Sequence, residues 1–174
     1  MKKQKKAFFF DRDNTLIKDK GYTFKKKDLK FLPGVKKAIR FLNQKKILVI
    51  VLTNQSGIVR KYFKFNDVKN FHNFMNFKLR KSKAYINDFF TCGCHPSIPF
   101  KNNKCKCRKP KNYMHLKAIK KWLLKRKNII MIGDKYSDKI SAKRTKIKFY
   151  YKSKKINLDK QIFNILQNNK TFLI

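Results

Sequence analysis

Apolar residues in this chain fall into short unbroken runs, separated by stretches where they recur every three or four positions. Residues 7–10 form the first run and stop at Asp11, which predicts a short strand buried on both faces. After Pro33-Gly34, the positions Val35, Ala38, Ile39 and Leu42 keep helical spacing through Lys45. Residues 47–52 are again continuously apolar and end in Thr53-Asn54, a second buried strand. Asn66 or Asp67 can cap a helix running to about Lys83, with Val68, Phe71, Phe74, Met75 and Leu79 on one face. A third strand is expected over 85–91, followed by a loop holding all the cysteines. Residues 112–125 predict a helix with Leu116, Ile119, Leu123 and Leu124 inward, and 129–132 a fourth strand ending in Gly133-Asp134. A short helix after Ser137, an edge strand near 149–151 and a last helix from Asp159 complete the pattern.

Strands alternating with helices predict an α/β fold: a Rossmann-like, mostly parallel sheet with helices on both faces. No repeat, linker or composition break divides the chain, so residues 1–174 are expected to form one domain. Three predicted strands carry Asp11, Thr53-Asn54 and Gly133-Asp134 at their carboxyl ends. Ligands of open α/β sheets bind beyond those ends, so these polar residues should converge on one edge.

Charge changes this picture less than its size suggests. The chain has 47 Lys+Arg against 9 Asp+Glu, a formal net charge of +38. Such an excess invites a nucleic-acid reading. The lysines, however, are spread over the whole chain, and all nine acids are Asp, as expected of surface drift toward Lys and Asn. Nucleic acid is therefore not the expected partner. A hydrophobic content of 42% suffices for a core. The longest apolar run is far short of the roughly 20 residues of a membrane span, and the run 7–10 is too short for a signal peptide. A monomeric cytoplasmic protein is the expectation.

Scarcity makes the acids informative. Asp11 and Asp13 stand two residues apart at a strand exit, where they can serve as nucleophile and acid/base or share a metal. Asp134 and Asp138 form a second pair, which a helix beginning near Asp134 would put on one face. The cysteines also pair, as Cys92-Gly93-Cys94 and Cys105-Lys106-Cys107. Four thiolates so spaced fit a tetrahedral structural Zn²⁺ site, and in a cytoplasmic chain disulfides are the lesser alternative. Lys101, Lys104, Lys106 and Arg108 would offset the negative charge of such a centre.

Asp11-Arg12-Asp13-Asn14-Thr15-Leu16-Ile17 resembles the first motif of the haloacid dehalogenase-type phosphatases. Leu52-Thr53-Asn54-Gln55-Ser56-Gly57-Ile58 resembles their second, Arg108-Lys109-Pro110 their lysine motif, and Met131-Ile132-Gly133-Asp134-Lys135 with Asp138 their fourth. The ordered set spans residues 8 to 138. The resemblance implies that Asp11 attacks phosphorus, that Asp13 acts as acid and then base, and that Thr53, Asn54 and Lys109 bind the phosphoryl group. It also implies Mg²⁺ on the Asp11 carboxylate, the Asp13 backbone carbonyl and Asp134, with Asp138 and Lys135 supporting that site from behind. The cysteine loop resembles that of the histidinol-phosphate and heptose-bisphosphate branch, which lacks a large cap domain. There Cys94 stands where a histidine ligand is usual, leaving His95 as a loop residue.

Gly21-Tyr22, residues 31–35 and residues 54–60 look closest to the heptose 1,7-bisphosphate 7-phosphatases of lipopolysaccharide precursor synthesis. A small anionic sugar phosphate is the implied substrate, with Arg60 and Arg108 on its distal phosphate. Histidinol phosphate is the alternative. A polynucleotide 3′-phosphatase and an inactive zinc-stabilised binding protein are further ones. Asn14 replaces the usual glycine of the first motif; Asn tolerates the left-handed backbone that the turn needs.

Overall fold

Ala7–Phe10 (β1) is apolar at every position because it lies at the centre of the sheet with both faces covered. The computed structural model describes residues 4–98, 105–169 and 172. Beyond β1 it contains α1 (Val35–Gln44), β2 (Leu48–Asn54), α2 (Phe65–Arg80), β3 (Asp88–Cys92) and α3 (Tyr113–Trp122). It continues with β4 (Ile129–Gly133), α4 (Tyr136–Thr145), β5 (Lys148–Tyr151) and α5 (Leu158–Gln167). All strands are parallel, in the order β3-β2-β1-β4-β5, with Ala7 opposite Leu48 on one side and Ile129 on the other.

The two-residue period of each strand divides the core. Phe8, Phe10, Val49, Val51, Ile130 and Ile132 pack toward α1, α2 and α5. Phe9, Ile50, Leu52 and Met131 pack toward α3 and α4. Each fully buried Phe or Ile contributes on the order of 1.5–3 kcal/mol, enough to hold the strand ends in register beneath the polar edge. No inserted cap domain occurs among the described residues, and none of their helices is long and apolar enough to cross a membrane.

Three local expectations change. Lys64, not Asn66 or Asp67, precedes the first turn of α2, and Asp67 instead accepts the Lys64 backbone N–H at 2.7 Å. In α3 the inward residues are Met114, His115 and Ala118, while Leu116 and Leu123 are exposed. Leu116 lies two residues from each of Met114 and Ala118, so a 100° helical step carries it to the opposite face. Leu123 adopts a left-handed conformation, φ 53°, that ends the helix and turns its side chain away. Finally, α4 begins at Tyr136, so Asp134 precedes it; the turn, and not a shared helical face, brings Asp134 to Asp138.

Candidate active site

Asp11 continues the ladder of β1 by one residue, its N–H donating to the Ile132 carbonyl at 3.1 Å. Its carboxylate thereby stands fixed at the carboxyl edge of the sheet, 5% exposed. Asn14 makes the turn that follows in the left-handed conformation, φ 55°, as its side-chain type permits. Lys109 enters the same place from a loop 98 residues away. Its Nζ donates to Asp11 Oδ1 at 2.5 Å and to the Leu52 carbonyl at 2.7 Å, and lies 2.7 Å from Asp138 Oδ1. The ammonium is almost wholly buried among these three oxygens.

Asn54 secures that loop. The Lys109 N–H donates to Asn54 Oδ1, and Asn54 Nδ2 donates to the Lys109 carbonyl, both at 3.1 Å. Both polar groups of the Asn54 side chain are thus engaged with the Lys109 backbone. Thr53 is fully buried, and its Oγ1 accepts from Gln55 Nε2 at 2.7 Å. Gln55 and Arg12 were not among the expected site residues, yet both contact Asp13. Gln55 Nε2 donates to Asp13 Oδ2 at 2.8 Å, and Arg12 holds both Asp13 oxygens at 2.9 and 3.1 Å. Both residues lie inside the quoted motifs, and that position was the only sequence signal for them.

Negative charge accumulates around the single ammonium. Carboxylate oxygens of Asp11, Asp134 and Asp138 lie within 4.8 Å of one another. Burial pushes the Asp11 pKa up; Lys109 pulls it down, while Asp138 and Asp13 push it up again, leaving it at about 7. Burial alone would lower the Lys109 pKa, but Asp11 and Asp138 outweigh it and hold the amine above its ordinary value. Burial also raises Asp134, with Lys135 opposing and Asp138 reinforcing. Asp134 Oδ1 is buried and accepts no hydrogen bond, and Asp138 Oδ1 has the Lys109 ammonium at 2.7 Å. An unpartnered buried carboxylate oxygen within so crowded a carboxylate set fits a divalent cation with oxygen ligands. Asp138 belongs to this cluster directly while its Oδ2 also caps α4, accepting the Lys135 N–H at 3.1 Å. That approach is why residue 133 is glycine: a Cβ there would lie 2.5 Å from Asp138 Oδ2.

These groups open onto a cleft of about 310 Å³ whose walls include Tyr22, Asn54, Arg108 and Lys135. Residues 6–163 match the family model described as polynucleotide kinase 3 phosphatase. A D-glycero-beta-D-manno-heptose-1,7-bisphosphate 7-phosphatase from Haemophilus ducreyi is 36% identical over 146 residues, 83% of this chain and 80% of the relative. A D-glycero-alpha-D-manno-heptose-1,7-bisphosphate 7-phosphatase from Campylobacter jejuni is 37% identical over 133 residues, 76% and 73% respectively. The chain belongs to the haloacid dehalogenase-type phosphatases. In fold it is similar to the D,D-heptose 1,7-bisphosphate phosphatase of B. bronchiseptica, crystallised with magnesium and phosphate. The TM-score is 0.76 at 21% identity, over 94% of this chain and 99% of that one. A HAD-like phosphatase from Mesorhizobium loti gives a TM-score of 0.77 at 28% identity, over 83% and 70%.

Within this phosphatase frame the cysteines stand beside the cleft. Cys92 closes β3 opposite Asn54 of β2, and Cys107 lies two residues before Lys109. Cys92 contacts Cys107, and Cys94 contacts Cys105, in two close sulfur pairs. The four remaining separations are 3.4, 3.4, 3.7 and 3.7 Å. All four sulfurs lie within 4.8 Å of one another, a cluster compatible with a structural Zn²⁺ site. His95 stays outside, with its Nε2 3.4 Å from Arg60 Nη2. Arg108 Nη1 donates to the Cys94 carbonyl at 3.1 Å. Burial, and then the neighbouring Arg60 charge, push the Arg108 pKa down. Of the two arginines expected on a distal phosphate, Arg108 lines the cleft and Arg60 does not. Lys101 and Lys104, expected near the cysteines, lie outside the described residues.

Proposed function

We propose that the protein is a Mg²⁺-dependent phosphomonoester hydrolase that removes the 7-phosphate of D-glycero-D-manno-heptose 1,7-bisphosphate through an aspartyl-phosphate on Asp11. The observation that carries the chemistry is the Asp11–Lys109 pair at the carboxyl edge of β1, with Asp13 two residues on and the Asp134 and Asp138 carboxylates beside it. The names of the relatives carry the substrate.

An Asp11 oxygen attacks phosphorus as the ester P–O bond breaks, and the departing sugar oxygen takes the Asp13 proton. Water then attacks the phosphoaspartate and gives a proton to Asp13. The P–O bond to Asp11 breaks, releasing phosphate and restoring both carboxyl groups. Lys109 holds positive charge against the transferring group, while Asn54 keeps the Lys109 loop in place. The Asp11 and Asp134 carboxylates with the Asp13 carbonyl would hold Mg²⁺, which when bound supplies further charge neutralisation at the phosphoryl oxygens. Arg108, which lines the cleft, suits the distal phosphate, with the Arg60 charge acting on it.

The four cysteines are assigned to a structural Zn²⁺. All four sulfurs lie within 4.8 Å of one another, as the ligands of one ion would. Such a centre would tie the Lys109 loop to the end of β3, and it carries with it the expectation of a reducing compartment, the cytoplasm. Metal analysis should find about one Zn²⁺ per chain and four thiols titratable after chelation and unfolding. No zinc and no titratable thiol would replace the centre with two disulfides.

A second reading, removal of 3′-phosphates from polynucleotides, takes its support from the description of the matching family model alone. Side-by-side turnover of both anomers of heptose 1,7-bisphosphate, histidinol phosphate and a 3′-phosphorylated oligonucleotide decides between them. Equal or faster turnover of either alternative class overturns the heptose reading.

A further inference from the structure

The chain has 47 basic residues, but among the described residues only Lys109 and Arg12 are buried. Each of these two cations is matched to one carboxylate of the Asp11/Asp13 pair. Lys109 meets Asp11; Arg12, 0% exposed, meets Asp13 through a two-point fork, Nε to Oδ1 at 2.9 Å and Nη2 to Oδ2 at 3.1 Å. Burying a guanidinium costs several kcal/mol unless its donors are used, and apolar residues fill such a place at no loss of stability in many cores. Burial of these two alone, in a chain whose other described lysines and arginines stay at or near the surface, therefore points to a task beyond packing for Arg12 as for Lys109.

The surroundings of Arg12 leave its side chain one orientation. Nη2 also faces the Thr23 carbonyl at 2.7 Å and Gln55 Oε1 at 3.0 Å. Nη1 lies 3.4 Å from His72 Nε2, and the guanidinium sits 5.2 Å from the centre of the Phe71 ring. Burial, aided by the Arg12 charge, pushes the His72 pKa down to about 2, so the imidazole stays neutral and can accept from Arg12. Gln55 closes the ring: its oxygen accepts from Arg12, and its nitrogen donates to Asp13 Oδ2 at 2.8 Å and to Thr53 Oγ1 at 2.7 Å. A carboxylate on an open cleft otherwise has free rotation about two side-chain bonds. Here three donors from two buried side chains hold it.

We propose that Arg12 and Gln55 are positioning residues that fix the Asp13 carboxylate for proton transfer to the departing oxygen, with His72 bracing Arg12 from behind. The proposal rests on the reading of Asp13 as acid and base. In this reading both residues act through Asp13 and not on the phosphoryl group. Their effect should therefore appear only where the leaving group needs a proton.

The test compares kcat/KM, which covers steps through formation of the phosphoaspartate, on two esters. Heptose 1,7-bisphosphate (or histidinol phosphate, should that be the better substrate) expels an alkoxide that requires a proton. p-Nitrophenyl phosphate expels a phenolate that does not. Gln55→Leu and Arg12→Lys should each lower kcat/KM on the sugar ester by about 10–100-fold, part of the 10²–10⁴ that general acid catalysis supplies, and on the aryl ester by less than about threefold. Equal losses on both esters, or no loss on either, overturn the proposal. Asp13→Asn separates the two layers. If it discriminates between the esters and Gln55→Leu does not, the positioning role alone falls. If Asp13→Asn itself fails to discriminate, the acid/base reading falls and the positioning role with it. Should Arg12→Lys fail to fold, Gln55→Leu with an unchanged melting curve decides, because it keeps both arms of the Arg12–Asp13 fork while removing the amide that donates to Asp13 and Thr53 and accepts from Arg12.

Discussion

Lys109→Met offers the sharpest test of how the polar edge is held together. The side chain it removes is 2% exposed and lies 2.5 Å from Asp11 and 2.7 Å from Asp138, themselves 7% and 1% exposed. At an effective dielectric of about 20, each contact is worth about 6 kcal/mol of Coulomb attraction. Most of that is offset by desolvating the three groups. Removing one partner reverses the balance, since the carboxylates stay buried without their cation; losses of about 3–5 kcal/mol are typical. For a chain of this size that is a fall in Tm of about 10–15 °C. Asp11, raised to about 7 even with Lys109 present, can relieve the strain by taking a proton. The deficit should therefore be smaller at pH 6 than at pH 8. Added Mg²⁺ should restore more of the Tm in the variant than in the parent protein, because a divalent cation on the same carboxylates replaces the lost charge. The assay is thermal unfolding of both proteins in chelator, at the two pH values, with and without Mg²⁺. A shift below about 3 °C at pH 8, or one of equal size at both pH values, would show that Lys109 is not the counter-ion that keeps these carboxylates buried.

Other expectations follow from the same geometry. Asp11→Asn should remove phosphatase activity on every ester while leaving the fold intact, and retained turnover would refute the nucleophile assignment. Gly133→Ala should displace Asp138, whose Oδ2 would stand 2.5 Å from the new Cβ, at a cost of about 1–3 kcal/mol and with weakened Mg²⁺ binding; an unchanged Tm and Mg²⁺ affinity would refute the close approach. His115 is buried, and burial aided by Lys109 pushes its pKa down to about 3, whereas the unfolded chain titrates near 6.5. Below 6.5 the unfolded state alone binds that proton, so stability falls as the pH drops from 6.5 toward 3. Each unit lost there is worth about 1.4 kcal/mol from this group, while Asp11 works in the opposite direction between about 7 and 4. His115→Leu should flatten the acid side of the stability curve by about one proton, measured by urea unfolding at pH 6.5, 5.5 and 4.5. An unaltered slope would mean that His115 is protonated in the folded protein.

Much of this protein could be read without coordinates, because much of it depends on neighbours along the chain. β1 and β4 are recognisable from four and five consecutive buried residues, and α1 from Val35, Ala38, Ile39 and Leu42. The same is true of the polar strand exits, since a strand that must bury both faces can change to Asp only where it leaves the sheet. Composition sharpened the reading further: with nine acids in 174 residues, two close pairs of them stand out. What could not be read was anything set by direction through space. Leu116 and Leu123 match the apolar pattern of a helix and still face solvent, because the phase of α3 against the sheet and its left-handed end decide burial. Asp134 and Asp138 meet through a turn that no periodicity describes.

The amino-acid sequence by itself determined the α/β order of elements, the convergence of Asp11, Asp134 and the Thr53-Asn54 pair on one edge, and the family. Tertiary structure decided which cations serve which carboxylates. Forty-seven basic residues make any one of them a plausible partner on paper, yet two are enclosed among the described residues: Lys109, brought 98 residues to Asp11, and Arg12, turned inward onto Asp13 beside Gln55. The reason is physical. A charge costs little at the surface wherever it stands, so the sequence carries no mark of it. Inside, it survives only where the fold supplies oxygens at hydrogen-bond distance, and those come from segments far apart in the chain.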